Sequence, residues 1–218
     1  MDDIRILGTS HIAKQSIMEV RQNFEEFNPD IIALELDPVR FQAILSKKRN
    51  GSVTREIKYL GIRGFILNTT LAWIGKKLGE KVNVQPGSEM KEAIKLAIKN
   101  KKEIALIDQH IKITIKKLSK IPFKEKSRIF FDLLKIPFIK KEIVKIDLTK
   151  VPKEDFIVKL LLEVKKRYPK IHKILIEERN QILAKNLNKL KTDKKDKKIL
   201  VVIGAGHKKE VERLVNEV

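Results

Sequence analysis

Short runs of branched apolar residues recur along the chain and are separated by longer, charged segments. Each run is four to eight residues long, which is typical of a strand buried on both faces of a sheet. The predicted strands are residues 4–7, 31–36, 103–108 and 197–204.

The segments between these runs carry apolar residues at helical spacing. An amphipathic helix is predicted over 13–27, and Pro29 breaks it. A second helix opens at Pro38, a third spans 54–78, and a fourth follows the turn at 84–87. Because strands alternate with helices, the chain is predicted to be an α/β protein whose central sheet is mostly parallel and flanked by helices.

Residues 110–195 contain no comparable apolar run. They are predicted to form a helical insertion before the last strand, within one α/β domain that spans 1–218. Lysine dominates this region, since residues 111–176 hold 19 Lys and Arg against 7 Asp and Glu, in a chain of net charge +20. Neither arginines nor stacking aromatics are grouped here, so a solvated helical surface is favoured over a nucleic-acid face.

Composition limits the compartment and the chemistry. The N-terminus is acidic where a signal peptide would be basic, and no window approaches the ~18 apolar residues of a membrane span. A cytoplasmic, soluble protein is expected, and a homodimer stays open. The chain has no cysteine, which excludes disulfides and cysteine nucleophiles, and together with its many lysines this suits a thermophile.

Two of the predicted strands end in the pattern Gly-x-x-His. Gly8 precedes His11 after the first strand, while Gly204 and Gly206 precede His207 after the last. Glycine permits a sharp turn and the close approach of a ligand, so these three glycines are predicted to border a binding site. Ligands of parallel sheets bind beyond the carboxyl ends of the strands, where all these residues fall.

Carboxylates are predicted at the same edge of the sheet. Glu35 lies within an apolar strand, where a charge is costly unless it is paired or bound to a metal. Together with His11 and His207 it could form a metal site that activates water. Asp108 ends the third strand, and two interpretations stay open for it: a site residue, or the cap of a helix that begins near Ile111.

Other chemistries find less support in the sequence. The motifs H-E-x-x-H, Walker A and G-x-S-x-G are absent, and the G-x-G of the last strand lacks the third glycine of a dinucleotide fingerprint. Of the two remaining histidines, His110 is predicted to be structural and His172 to face solvent.

Six motifs occur in the order found in the TraB family: LGTSHIAKQS, IIALELDPVRF, PGSEMKEAIKLA, IALID, EERNQILAKNL and VVIGAGH. The chain resembles that family from residue 4 to residue 207. The family includes bacterial pheromone-shutdown proteins and is similar to the Tiki proteases and the erythromycin-esterase-like group. The resemblance implies an α/β core with a helical insertion and metal-dependent cleavage of a peptide or protein, with manganese or cobalt as the metal.

The resemblance also implies roles for individual positions. His11, His207 and Glu35 would bind the metal or activate its water, while Glu89, Asp108 and Arg179 would contact the substrate or support the site. Arg179 would stabilise an oxyanion or orient a carboxylate. The remaining family positions are Arg40, Glu178 and Asn180.

The chain departs from the family at two places. The segment 108–111 has the sequence DQHI where the family commonly has DRDI, and Lys208 with Lys209 follows His207 where the family has a small or apolar residue and then Pro-Gly. Family members often carry C-terminal membrane helices, which implies membrane association through a region beyond this chain.

Two functional hypotheses follow from these motifs. The first is a metal-dependent hydrolase, most simply a peptidase. The alternative is a non-catalytic regulatory protein that holds a peptide or an anionic ligand in the same cleft and uses its basic helices to meet a membrane or nucleic acid.

Overall fold

A computed structural model of the chain describes residues 3–9, 14–46, 87–135 and 154–217. His11 and the helix predicted over 54–78 lie outside these ranges. The elements in chain order are β1 (Ile4–Thr9), α1 (Lys14–Phe27), β2 (Ile31–Leu34), α2 (Pro38–Leu45), α3 (Ser88–Lys99), β3 (Glu103–Leu106), α4 (Ile111–Ser119), α5 (Phe123–Lys135), α6 (Glu154–Arg167), α7 (Pro169–His172), a π-helical turn (Lys173–Glu177), α8 (Glu178–Asp193), β4 (Ile199–Gly204) and α9 (Ala205–Asn216).

The four strands form one parallel sheet in the order β1-β4-β2-β3. The predicted α/β fold is therefore confirmed, and each predicted strand is found close to its expected bounds. The last strand is central, between β1 and β2, and its six residues are all buried. Its continuous apolar run matches this position, because a strand covered on both faces has no polar side.

Helices cover both faces of this sheet. On one face, α1 and α3 pack against alternate residues of β2 and β4 such as Ile32 and Val202. On the other face, α8 and α9 pack against the intervening residues, such as Ala33 and Val201. Successive strand residues point to opposite faces, so each strand contributes to both halves of the core.

The helices that follow β1 and β4 pack on opposite faces of the sheet. These strands are neighbours, with Gly8 opposite Ile203 and Thr9 opposite Gly204. In open α/β sheets, ligands usually bind in a crevice beside the carboxyl ends of two neighbouring strands whose following helices lie on opposite faces.

Helix α8 belongs to the sheet's own covering layer, although it falls within the predicted insertion at 110–195. Leu183 and Leu187 are fully buried against the strands. The Asn186 side-chain amide donates to the carbonyl of Ile107, at 2.8 Å, just after β3. Among the described residues, α4 and the π-helical turn form a separate small cluster with Leu118 and Ile174 buried in it. The insertion thus ends in a helix that the sheet requires.

The described helices include none that is both long and apolar enough to cross a membrane. The prediction of one domain over 1–218 stays a prediction.

Gly8 lets β1 approach the first turn of α9. A Cβ atom built at Gly8 would lie 3.0 Å from Cδ and 3.1 Å from Cβ of Lys208, and 3.2 Å from Cα of Ala205. Two of these three neighbours are fixed by the backbone, so the strand and the helix would have to separate. One of the lysines that departs from the family pattern thus packs on the first Gly-x-x-His motif.

We expect Gly8→Ala to lower the free energy of unfolding by about 1–3 kcal/mol, because of this overpacking. Gly206→Ala is the matched control, since among the described residues its Cβ would meet Leu161 alone, at 3.9 Å, and it should be as stable as the unsubstituted protein or slightly more so. Urea titration followed by circular dichroism measures both. Equal stability of the two variants would contradict the packing role of Gly8.

Candidate functional site

Glu35 follows β2 directly and is 3% exposed. Its backbone N–H donates to the carbonyl of Val202, at 3.1 Å, which continues the pairing of β2 with β4. Its Oε2 accepts a hydrogen bond from the N–H of Gly204, at 2.5 Å, the residue that caps α9. A carboxylate is favoured at a helix N-terminus, where free N–H groups and the helix dipole meet it. The carboxylate is thereby fixed at the end of the central strand.

Arg179 lies in the first turn of α8 and binds two carboxylates. Its Nη2 contacts Oε1 of Glu35 and Oδ2 of Asp108, the latter at 2.6 Å. Burial by itself would lower the pKa of Arg179, but the neighbouring Glu35 and Asp108 carboxylates outweigh this and raise it. The guanidinium is therefore a permanent positive charge inside the site.

His207 faces the same guanidinium from the first turn of α9. Its Nδ1 lies 2.6 Å from Oδ1 of Asn180, so Nδ1 carries a proton and donates it to this amide oxygen. In the neutral ring, Nε2 then holds the lone pair and accepts from Nη1 of Arg179, at 3.2 Å. This Nε2 also lies 3.5 Å from Oε1 of Glu35. Asn180 therefore selects the tautomer that presents a lone pair to the site.

Asp108 belongs to the same cluster of side chains as Glu35 and Arg179. Its side chain is 2% exposed and binds Arg179, while Nη2 of Arg40 contacts its Oδ2 and also donates to the backbone carbonyl of Glu35, at 3.2 Å. Two arginines thus hold one carboxylate, and Arg40 links it to the residue at the end of β2.

Asp108 does not cap α4. The caps are Asp37, whose Oδ2 accepts from the N–H of Ile111 at 2.6 Å, and His110, whose Nδ1 accepts from the N–H of Lys112 at 3.1 Å. The structural role predicted for His110 fits this contact. Asp37 also caps α2, so one fully buried carboxylate ties together the chain segments that follow β2 and β3.

A divalent ion would need donors that converge without a competing cation. The donors of Glu35 and His207 do converge, because Oε1 of Glu35 and the Nε2 lone pair of His207 face each other across 3.5 Å. The guanidinium of Arg179 contacts both atoms, so an ion could share them only if this side chain turned away. Within the described part of the chain no group of three or more His, Asp or Glu side chains could hold a metal. His11, the third predicted ligand, lies outside it.

The remaining predicted residues lie in different surroundings. Glu89 is 1% exposed in the first turn of α3, and its role in the site stays a prediction. Glu178 pairs with Lys117 of α4, at 2.7 Å. The prediction that His172 faces solvent is wrong: it is 7% exposed, because the turn that follows it packs against α4.

Sequence reasoning assigned no separate function to Arg40 or Asn180. For Arg40 a local signal existed, since it lies three residues after the helix-capping Asp37 and so returns toward the strand end. Asn180 had no such signal, because its partner is 27 positions away on another helix.

We expect Arg179→Met to lower the free energy of unfolding by about 3–5 kcal/mol, because it leaves the buried Glu35 carboxylate without a counter-charge. The double variant Arg179→Met/Glu35→Gln should recover part of the loss, and a double-mutant cycle by urea titration measures the coupling. Arg21→Met, which removes an exposed pair with Glu92, is the matched control and should change little. Additive effects at 179 and 35 would show that the pair does not stabilise the fold.

A model of the TraB/PrgY/gumN family matches residues 2–218. An uncharacterized protein of Methanocaldococcus jannaschii is 34% identical over 218 residues, which are 99% of this chain and 54% of that protein. The TraB domain-containing proteins of Homo sapiens and Mus musculus are each 22% identical over 195 residues, 83% of this chain and 50% of their own length. The chain thus spans about half the length of the curated relatives it matches. Since the family model covers nearly the whole chain, the protein belongs to the TraB/PrgY/gumN family.

Proposed function

We propose that the protein is a metal-dependent hydrolase that cleaves peptide bonds at the carboxyl ends of β2 and β4, where Glu35 and His207 lie. One observation carries the proposal: a buried carboxylate and a histidine lone pair, fixed by separate hydrogen bonds, face each other 3.5 Å apart. Such pairs position a water for attack on a carbonyl, whether they bind it directly or through an ion.

The residues that would hold the metal are His207, Glu35 and His11. Imidazole and carboxylate suit manganese or cobalt, and the hydrogen bond of His207 to Asn180 is the usual support of a metal-binding histidine. When bound, the ion would lower the pKa of a coordinated water and polarise the substrate carbonyl.

The protein's own groups then have distinct tasks. Glu35 takes a proton from the attacking water and returns it to the leaving amine as the C–N bond breaks. Arg179 donates to the oxyanion that develops on the carbonyl. Asp108 holds the guanidinium in place through two contacts, at 2.6 and 3.3 Å. Arg40 in turn holds Asp108.

A second function is favoured by a different observation. Arg179 already neutralises Glu35 and occupies the lone pair of His207, so the network is complete without an ion. A regulatory protein that binds a peptide or an anionic ligand in the crevice would need no more than this arrangement. Binding without turnover in the assays below would favour that alternative.

We expect Glu35→Gln to reduce cleavage of a peptide library, in the presence of Mn²⁺, by about 10²–10⁴-fold, the usual effect of losing a general base. The matched control is Glu103→Gln. It alters an exposed carboxylate of β3 that pairs with Lys194, and it should leave the rate unchanged. Mass spectrometry of the products measures both rates. Full activity of Glu35→Gln would rule out this assignment.

We expect Mn²⁺ to bind more tightly to Arg179→Gln than to the unsubstituted protein, by tenfold or more, because the competing guanidinium is removed. His207→Ala should abolish binding. Isothermal titration of each protein with MnCl₂ gives the dissociation constants without reference to activity. Unchanged affinity in both variants would place any metal site elsewhere.

A further inference from the structure

A cavity of about 620 Å³ lies next to Asn180, one of the residues of the candidate site. It lies between α6, the π-helical turn and the beginnings of α8 and α9, and its volume falls within the ~300–1,000 Å³ of ligand pockets. Its apolar wall consists of Val158, Leu161, Leu162 and Ile176.

The cavity adjoins the candidate site through Asn180. Asn180 lines it and also accepts the hydrogen bond from Nδ1 of His207. Gly206, which lines it as well, directly precedes His207 in the chain. A group seated in the cavity would therefore lie next to the residues that present the histidine lone pair to Glu35.

The π-helical turn brings the cavity's polar residues to one face. His172 and Asn180 are eight positions apart, and eight α-helical residues rotate by about 800°, roughly 80° beyond two full turns. A turn with i→i+5 bonds rotates less per residue and reduces this offset. Both side chains consequently line the same cavity. Such turns are rare and occur frequently at functional sites.

His172 lines the cavity with a largely buried ring. The residue is 7% exposed, and its Nδ1 makes no hydrogen bond to the described residues, although it lies 3.3 Å from Oε1 of Glu177. At the rim, Lys165 pairs with this glutamate at 2.8 Å, and that hydrogen bond lowers the pKa of the Glu177 carboxyl. The cavity is thus apolar in its wall and charged at its mouth.

We propose that this cavity is the specificity pocket of the enzyme and holds a large apolar side chain, such as leucine or phenylalanine, from the peptide residue beside the cleaved bond. The proposal rests on the proposed function. An apolar wall favours such a side chain by about 25 cal/mol per Å² removed from water. The charged rim suits the polar backbone on either side of it.

Two substitutions reduce the cavity without touching Glu35, Arg179 or His207. Leu161→Phe enlarges a wall residue. Gly206→Ala adds a methyl group 3.9 Å from both Cδ atoms of Leu161, an ordinary contact that leaves the helix intact. Leu160→Phe is the matched control, because Leu160 lies on the same helix, is 51% exposed and does not line the cavity.

The test measures cleavage and binding separately. In the cleavage assay, two peptides that differ at one position, phenylalanine or alanine, are incubated with Mn²⁺ and the unsubstituted protein or one of its variants. In the binding assay, the substitution Glu35→Gln is added to each protein to prevent cleavage, and peptide binding is followed by fluorescence anisotropy. We expect at least a tenfold preference for phenylalanine, reduced threefold or more by Leu161→Phe and by Gly206→Ala, and unchanged in Leu160→Phe.

The outcomes distinguish the two proposals. If the peptides are cleaved but the preference for phenylalanine is unaffected by Leu161→Phe and Gly206→Ala, the cavity is not the specificity pocket, and the proposed hydrolase activity is retained. Phenylalanine-selective binding that both variants weaken, with no cleavage by the unsubstituted protein, overturns the hydrolase and supports the pocket. Absence of both binding and cleavage overturns both.

Discussion

The buried guanidinium of Arg179 holds together the side chains that follow β2, β3 and β4. Glu35 and Asp108 are each almost fully buried, and a buried carboxylate without a counter-charge is strongly destabilising. One arginine satisfies both and also donates to His207. Helix α8, which carries this arginine, is itself anchored on the sheet by Leu183 and Leu187. The apolar core and the polar network therefore stabilise each other.

The topology of the sheet explains why this network can also be a site. Because β4 lies between β1 and β2, the end of the last strand adjoins residues from near the beginning of the chain. The N-terminus of α9 reaches Glu35 through Gly204, and α8, which packs on the same face of the sheet, brings Arg179 to it. If an ion or a substrate displaces the guanidinium from Glu35, Asp108 remains as its partner. In the proposed hydrolase, the same side chain would stabilise the resting protein and then contact the developing oxyanion.

Local patterns predicted the strands and the character of the strand ends with good accuracy. Apolar runs marked all four described strands. Glu35 stood out as a candidate site residue because it is a charged residue within such a run, and it is buried. The prediction was wrong for His172, and it missed the contacts of Arg40 and Asn180. For Arg40 the local signal was its position three residues after Asp37. The burial of His172 and the hydrogen bond of Asn180 to His207 depend on which helices pack together, which helical spacing alone does not show. The π-helical turn likewise has no simple sequence pattern, although it sets which side chains line the cavity.

The sequence by itself determined a parallel α/β protein with carboxylates, glycines and histidines at the carboxyl ends of its strands. It could do so because strand-forming patterns are local and a parallel sheet gathers those ends at one edge. Only the tertiary structure decided that Arg179, 144 positions from Glu35, binds both Glu35 and Asp108, that His207 presents Nε2, and that a cavity opens beside Asn180. Those facts depend on strand order and helix packing, which bring together residues that no local pattern connects.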